Sequence, residues 1–124
     1  MSQVTYYIIR TGRWVKRAQD GPWPTGEKIA GLHASTAPWL RERDIAAVGC
    51  DGITDVLPSG TGEFGHPLHQ LALVAMGMPL LDNLDLDELA KEAAARGRWT
   101  FLLTVAPIRF PGGLGSPVNP IVIS

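Results

Sequence analysis

Glycine and proline set the strongest limit on what this chain can fold into. Fourteen glycines and ten prolines stand among 124 residues, and most fall in three stretches: Gly12 to Gly31, Gly49 to Pro67 and Pro107 to Pro120. Proline removes a backbone donor and glycine raises the entropy lost on ordering, so such stretches read as loops. Regular elements must fit between them and must be short.

The apolar patterning fills those gaps. Val4 to Arg10 (VTYYIIR) is β-branched and aromatic and reads as a strand; being apolar on both faces, it is expected at the centre of its sheet. Residues 11–31 then read as one long loop. Ser35 is placed to cap a short helix over 35–44, tolerant of Pro38 in its first turn, with Trp39 and Leu40 facing the core. Ile45 to Gly49 is a short buried strand. Pro67 to Met76 is helical, with Pro67 in the first turn and Gly77 as the stop. Pro79 to Leu81 begins another strand. Asp85 or Asp87 starts a second clear helix, with Leu86, Leu89, Ala90 and Ala93 as its buried stripe. Thr100 to Ala106 and the closing IVIS are strands. Helix, strand and loop alternate as in an α/β protein, and the length suits a single domain over residues 1–124.

Composition narrows the function classes. Forty-five per cent of residues are hydrophobic, which a disordered chain would not carry. The net charge of −1, with no run of like charges, favours neither nucleic acid nor an anionic membrane as partner. Arg10, Arg13, Lys16 and Arg17 read as a solvated basic face. The single cysteine, Cys50, excludes an internal disulfide and reads as buried and inert. The start lacks the layout of a signal peptide, and no apolar run approaches the ~20 residues of a membrane span, so a cytoplasmic location is expected.

Three acids and two histidines could carry chemistry. His66 and His69 stand three apart at the start of a helix, on one face, and Asp82 follows thirteen residues later. Imidazole and carboxylate are ordinary ligands of zinc or manganese. The plainer alternatives are that Asp82 caps the helix beginning near Asp85 and that His69 packs beside Trp39 or Trp99. Asp51 and Asp55 follow a buried strand, where acids of α/β proteins often line ligand crevices; the plainer alternative is a turn in which Asp51 binds its own backbone. GGLGS at 112–116 lacks the lysine and following helix of a phosphate loop and is set aside.

Four stretches in order, IIRTG (8–12), GLHASTAPWLRERDIAAVGCD (31–51), HPLHQLALVAMGMPLLDNLDLDELA (66–90) and FLLTVAPIRFPGGLGSPVNPI (101–121), resemble the cyclase family that includes bacterial kynurenine formamidase and isatin hydrolase. The resemblance implies a partial swivelling-type β/β/α domain, with a mixed sheet and about three helices. It implies metal-dependent hydrolysis of an amide, lactam or similar acyl bond, with zinc or manganese activating water. His69 matches a metal-ligand histidine of the family, and Asp82 stands where many members have glutamate. His66 is a weaker ligand candidate, and Asp51 and Asp55 are candidates for the substrate pocket. The family's motif His-x-Gly-Thr-His-x-Asp-x-Pro-x-His is absent from this sequence. The isolated chain is therefore expected to bind metal weakly or not at all, and to need a second copy or a complementary chain. An inactive binding or scaffold domain, and metal-free acid–base chemistry through His66, His69, Asp51 or Asp82, are the other readings.

Overall fold

A computed structural model describes residues 4–123. Its contacts divide the chain into two units, Met1–Ala90 and Lys91–Ser124. Its class is α/β, with a parallel sheet, an antiparallel pair and four helical segments.

The first unit is built on three parallel strands in the order β1 (Thr5–Ile9), β2 (Ile45–Cys50) and β3 (Leu80–Leu81). β1 aligns Tyr6 with Ala47 and Ile9 with Cys50, and β2 aligns Val48 with Leu80. The expectation of a central Val4–Arg10 strand is corrected here. β2 is the middle strand, while β1 has a β2 neighbour on one side and leaves Tyr6 and Tyr7 exposed. Its two faces are alike: Tyr6 and Tyr7 are both exposed, and Ile8 and Ile9 are both half-buried.

β2 earns the centre by having small side chains. Ala47, Val48 and Cys50 are buried, and a Cβ at Gly49 would lie 2.6 Å from Ile8 Cδ1 and 2.8 Å from Leu84 Cδ1, so the ends of both side chains would have to move to admit one. Val48 packs with Ala37, Leu40, Leu68, Ala72 and Met78 into one core. Leu40 and Leu68 are wholly buried, and truncating either to alanine costs roughly 2–5 kcal/mol by the usual cavity effect.

The described residues form four helical segments. α1 (Arg13–Asp20) occupies part of what reads as a long loop in the sequence. It buries no residue and has no capping side chain of its own, so local periodicity could not show it. α2 (Ala37–Glu42) follows a 3₁₀ turn at Ala34–Thr36. Ser35 is not its cap. The His33 ring accepts the Ser35 N–H instead, and Trp39 turns outward, beneath the Arg43 guanidinium. α3 (Pro67–His69) passes directly into a π-helical turn, Gln70–Ala75, and Gly77 ends it at φ 63°, a left-handed stop that glycine adopts without strain. α4 (Asp87–Arg96) has Asp85 accepting the Asp87 N–H at 3.3 Å, with Leu86 and Ala93 buried.

The second unit carries the antiparallel pair β4 (Leu102–Thr104) and β5 (Ile121–Ile123). Only three residues of the long apolar stretch 100–106 are strand. No helix among the described residues is long and apolar enough to cross a membrane.

Candidate functional site

The loop leaving β2, Asp51 to Asp55, places two buried carboxylates four residues apart, and they do different work. Asp51 sits under the start of α1. Its Oδ1 accepts the Thr11 N–H and the Thr11 hydroxyl, each at 2.7 Å; its Oδ2 accepts the Gly12 N–H at 2.8 Å and the Arg13 N–H at 3.1 Å. Burial alone would raise its pKa. The bonds from Thr11, Gly12 and Arg13 outweigh burial and hold the carboxyl below its ordinary range. Asp51 therefore neither closes a turn on its own backbone nor presents free oxygens to a ligand. It is the distant cap that α1 lacks locally. Beside it, burial raises the Cys50 thiol pKa, as expected of an inert cysteine.

Thr54 lies between the two acids with φ 61°, a left-handed conformation that a β-branched residue rarely adopts. Such strain persists only where surrounding contacts impose it. Here its carbonyl accepts the Leu32 N–H at 2.7 Å and its hydroxyl donates to Asp82 Oδ1 at 2.5 Å. Gly31 permits this approach: a Cβ there would sit 2.5 Å from the Thr54 and Asp55 backbone. Bridges from Ile29 to Leu57 and from Leu32 to Asp55 complete the clamp.

Asp55, 1% exposed, faces the opposite way, onto α3. It accepts the Leu68 N–H at 2.7 Å and the His69 N–H at 3.1 Å, the unpaired donors of a helix start. Its Oδ2 also lies 2.6 Å from His69 Nδ1. The other ring nitrogen, Nε2, lies 3.0 Å from Asp82 Oδ2. Asp82 comes straight off β3 and is fixed by the next two residues: Asn83 donates to the Gly52 carbonyl at 2.8 Å and Leu84 to that of Cys50 at 3.0 Å. Arg13 bonds the Asn83 side chain, and Trp14 Nε1 donates to the Leu84 carbonyl at 2.7 Å.

Asp55, His69 and Asp82 thus form a line, carboxylate to imidazole to carboxylate. The bond to Asp82 is the largest cause raising the His69 pKa. Burial opposes it, the bond to Asp55 adds to it, and the result is about 9. At neutral pH the ring is an imidazolium whose two N–H groups donate to the two acids. Neither plainer alternative for these residues holds: Asp85, not Asp82, accepts at the start of α4, and His69 is held by the two acids. His66 is exposed and meets His69 edge-on, with ring centroids 5.7 Å apart.

The same line bears on a metal. Asp55 fixes Nδ1, which leaves Nε2 and Asp82 Oδ2 as adjacent donor atoms, the usual layout of a carboxylate-oriented histidine ligand. The pair suits two positions on a zinc or manganese ion. Among the described residues no group of three or more His, Cys, Asp or Glu side chains is placed to hold one.

Thr54 carries no sequence signal of a site role. The pairing of Asp55 with His69, fourteen residues on, is visible only once the loop and α3 pack together.

No protein-family model matches the chain. No curated protein matches it either. Among solved structures, the chain matches the crystal structure of a protein described as a novel cyclase, at 31% sequence identity and a TM-score of 0.78. The match takes in 99% of this chain and 42% of the length of that protein. Over that portion the chain has the fold of the cyclase.

Proposed function

We propose that the chain belongs to the cyclase family and supplies part of a metal-dependent hydrolase site for an amide, lactam or similar acyl bond, in the manner of an arylformamidase. The observation that carries this reading is the Asp55–His69–Asp82 line, which holds one imidazole nitrogen and one carboxylate oxygen 3.0 Å apart. His69 and Asp82 would hold zinc or manganese, which supplies an activated water and a polarised carbonyl when bound. Asp55 sets the ring orientation and tautomer. Thr54 holds the second oxygen of Asp82. In the metal-free chain His69 instead stores a proton between two acids, and that proton must leave Nε2 before a metal can bind there.

Two ligands are fewer than the three protein ligands of catalytic zinc sites. We place the rest on another polypeptide, a second copy or a complementary chain, in the cytoplasm. A binding or scaffold domain without hydrolysis is the second reading, favoured by the missing third ligand among the described residues.

Calorimetric titration of zinc into the purified chain tests the first reading. Weak binding is expected, with no metal-dependent hydrolysis of N-formylkynurenine by the chain alone. His69→Ala should abolish the binding while circular dichroism stays unchanged. Equal affinity in wild type and variant would move the metal elsewhere and leave the scaffold reading.

A further inference from the structure

One short stretch of backbone aims both ligand candidates. Thr54 is wholly buried and donates its hydroxyl to Asp82 Oδ1 at 2.5 Å. Asp55, the next residue, holds His69 Nδ1 at 2.6 Å. A shift of this dipeptide would therefore turn both side chains together. Residues 29–32 keep it from shifting. The Leu32 N–H donates to the Thr54 carbonyl at 2.7 Å and the Val56 N–H to the Leu32 carbonyl at 3.0 Å, while Ile29 and Leu57 exchange bonds at 3.1 and 3.0 Å. Between them Gly31 comes so near that a Cβ would stand 2.5 Å from the Thr54 carbonyl oxygen and from both carbonyl atoms of Asp55. These are backbone atoms, which cannot swing aside as a side-chain end can. Thr54 meets this grip at φ 61°. On a fixed backbone a β-branched side chain is stiff about χ1, so its hydroxyl keeps one direction.

We infer that Thr54 is a positioning residue of the candidate metal site, held in its turn by the close approach of Gly31. With Oδ1 occupied by Thr54, Oδ2 is the oxygen that Asp82 offers beside His69 Nε2. The inference rests on reading His69 and Asp82 as ligands. It also ties their two orientations to a single turn, and so to a glycine that has no side chain to reach either.

NMR of the metal-free chain and zinc calorimetry test it on the same variants. Thr54→Val keeps the shape and the β-branch but removes the hydroxyl, and Thr54→Ser keeps the hydroxyl. Three-bond couplings should report one χ1 rotamer of Asp82 in the wild type and in Thr54→Ser, and an average of several in Thr54→Val. Zinc affinity should fall about 10–100-fold in Thr54→Val and stay within about threefold of wild type in Thr54→Ser, as loss and rescue of an outer partner of a ligand predict. Gly31→Ala leaves the hydroxyl in place but displaces the turn, so it should average the rotamers of Asp82 and His69 together. A single Asp82 rotamer in Thr54→Val overturns the inference. So does a Thr54→Ser that behaves like Thr54→Val, or a folded Gly31→Ala with both rotamers fixed. Should Gly31→Ala fail to fold, the two Thr54 variants decide. The rotamer measurement needs no metal. A wild type that binds no zinc, with Asp82 freed in Thr54→Val alone, would defeat the metal reading and uphold the hold of Thr54 on Asp82. Unchanged rotamers and affinity in a chain that does bind zinc would do the reverse.

Discussion

Asp51 and Asp55 are equally buried, stand on the same loop and each accept hydrogen bonds from the start of a helix. They differ in what completes their shell. Three backbone N–H groups, a hydroxyl and, at 3.8 Å, the Cys50 thiol fill that of Asp51, and burial raises the pKa of that thiol so that it keeps its proton. Asp55 spends two bonds on backbone and a third on His69, a group that can exchange its proton for another ligand. Burial therefore does not separate a structural acid from a functional one. The chemistry of the last donor does.

The comparison breaks most easily at Asp51. Asp51→Ala leaves four donors without an acceptor, and by the usual cost of orphaning a buried charge network it should lower unfolding free energy in urea by about 3–5 kcal/mol. Because its pKa is depressed in the folded state, that stabilisation is present above the unfolded value near ~3.9 and disappears as pH falls through the lower folded value. A loss below ~1 kcal/mol would mean that α1 is not anchored there. Asp55→Asn sharpens the other side. The amide oxygen can still accept from Leu68, but its NH2 would face the two His69 donors, so unfolding free energy should fall by about 1–3 kcal/mol, and zinc affinity should drop roughly 10–100-fold as a misoriented imidazole predicts. An unchanged affinity would make Asp55 as purely structural as Asp51. The smallest effect concerns protonation. In the metal-free chain the His69 ring should titrate near pH 9 by NMR. Its folded pKa is raised, so its contribution is full below the unfolded pKa and fades as pH rises through about 9. The side chain is 27% exposed, and solvent tempers the gain. A midpoint near 6.5 would show that the two acids do not hold the ring in solution.

The parts of this chain that a local reading recovers are those stabilised locally. Gly77 stops a helix by its own conformation, and the apolar run of β2 needs no partner to be recognised. α1 was illegible because its cap lies 38 residues away in sequence, at Asp51, and its residues bury nothing. β1 misled in a related way: an edge strand with two tyrosines resembles a central one until its neighbours are known. At the site, His69 and Asp82 stand out as residue types, and the family resemblance singles them out. Asp55 was legible as an acid on a loop but not as the residue that orients His69. Thr54 needed its backbone angle to be noticed at all.

The π-helical turn after His69 has a consequence for counting residues. Bonding there spans five residues, as from the Met76 N–H to the Leu71 carbonyl at 3.0 Å, where an α-helix spans four. The turn thus stores one residue more than a regular helix of the same length. His69 lies before it and Asp82 beyond it, so the extra residue lengthens the chain between them without parting their side chains. Any chain that runs plain α-helix through this segment should align with this one only if a single-residue gap is opened between positions 69 and 82.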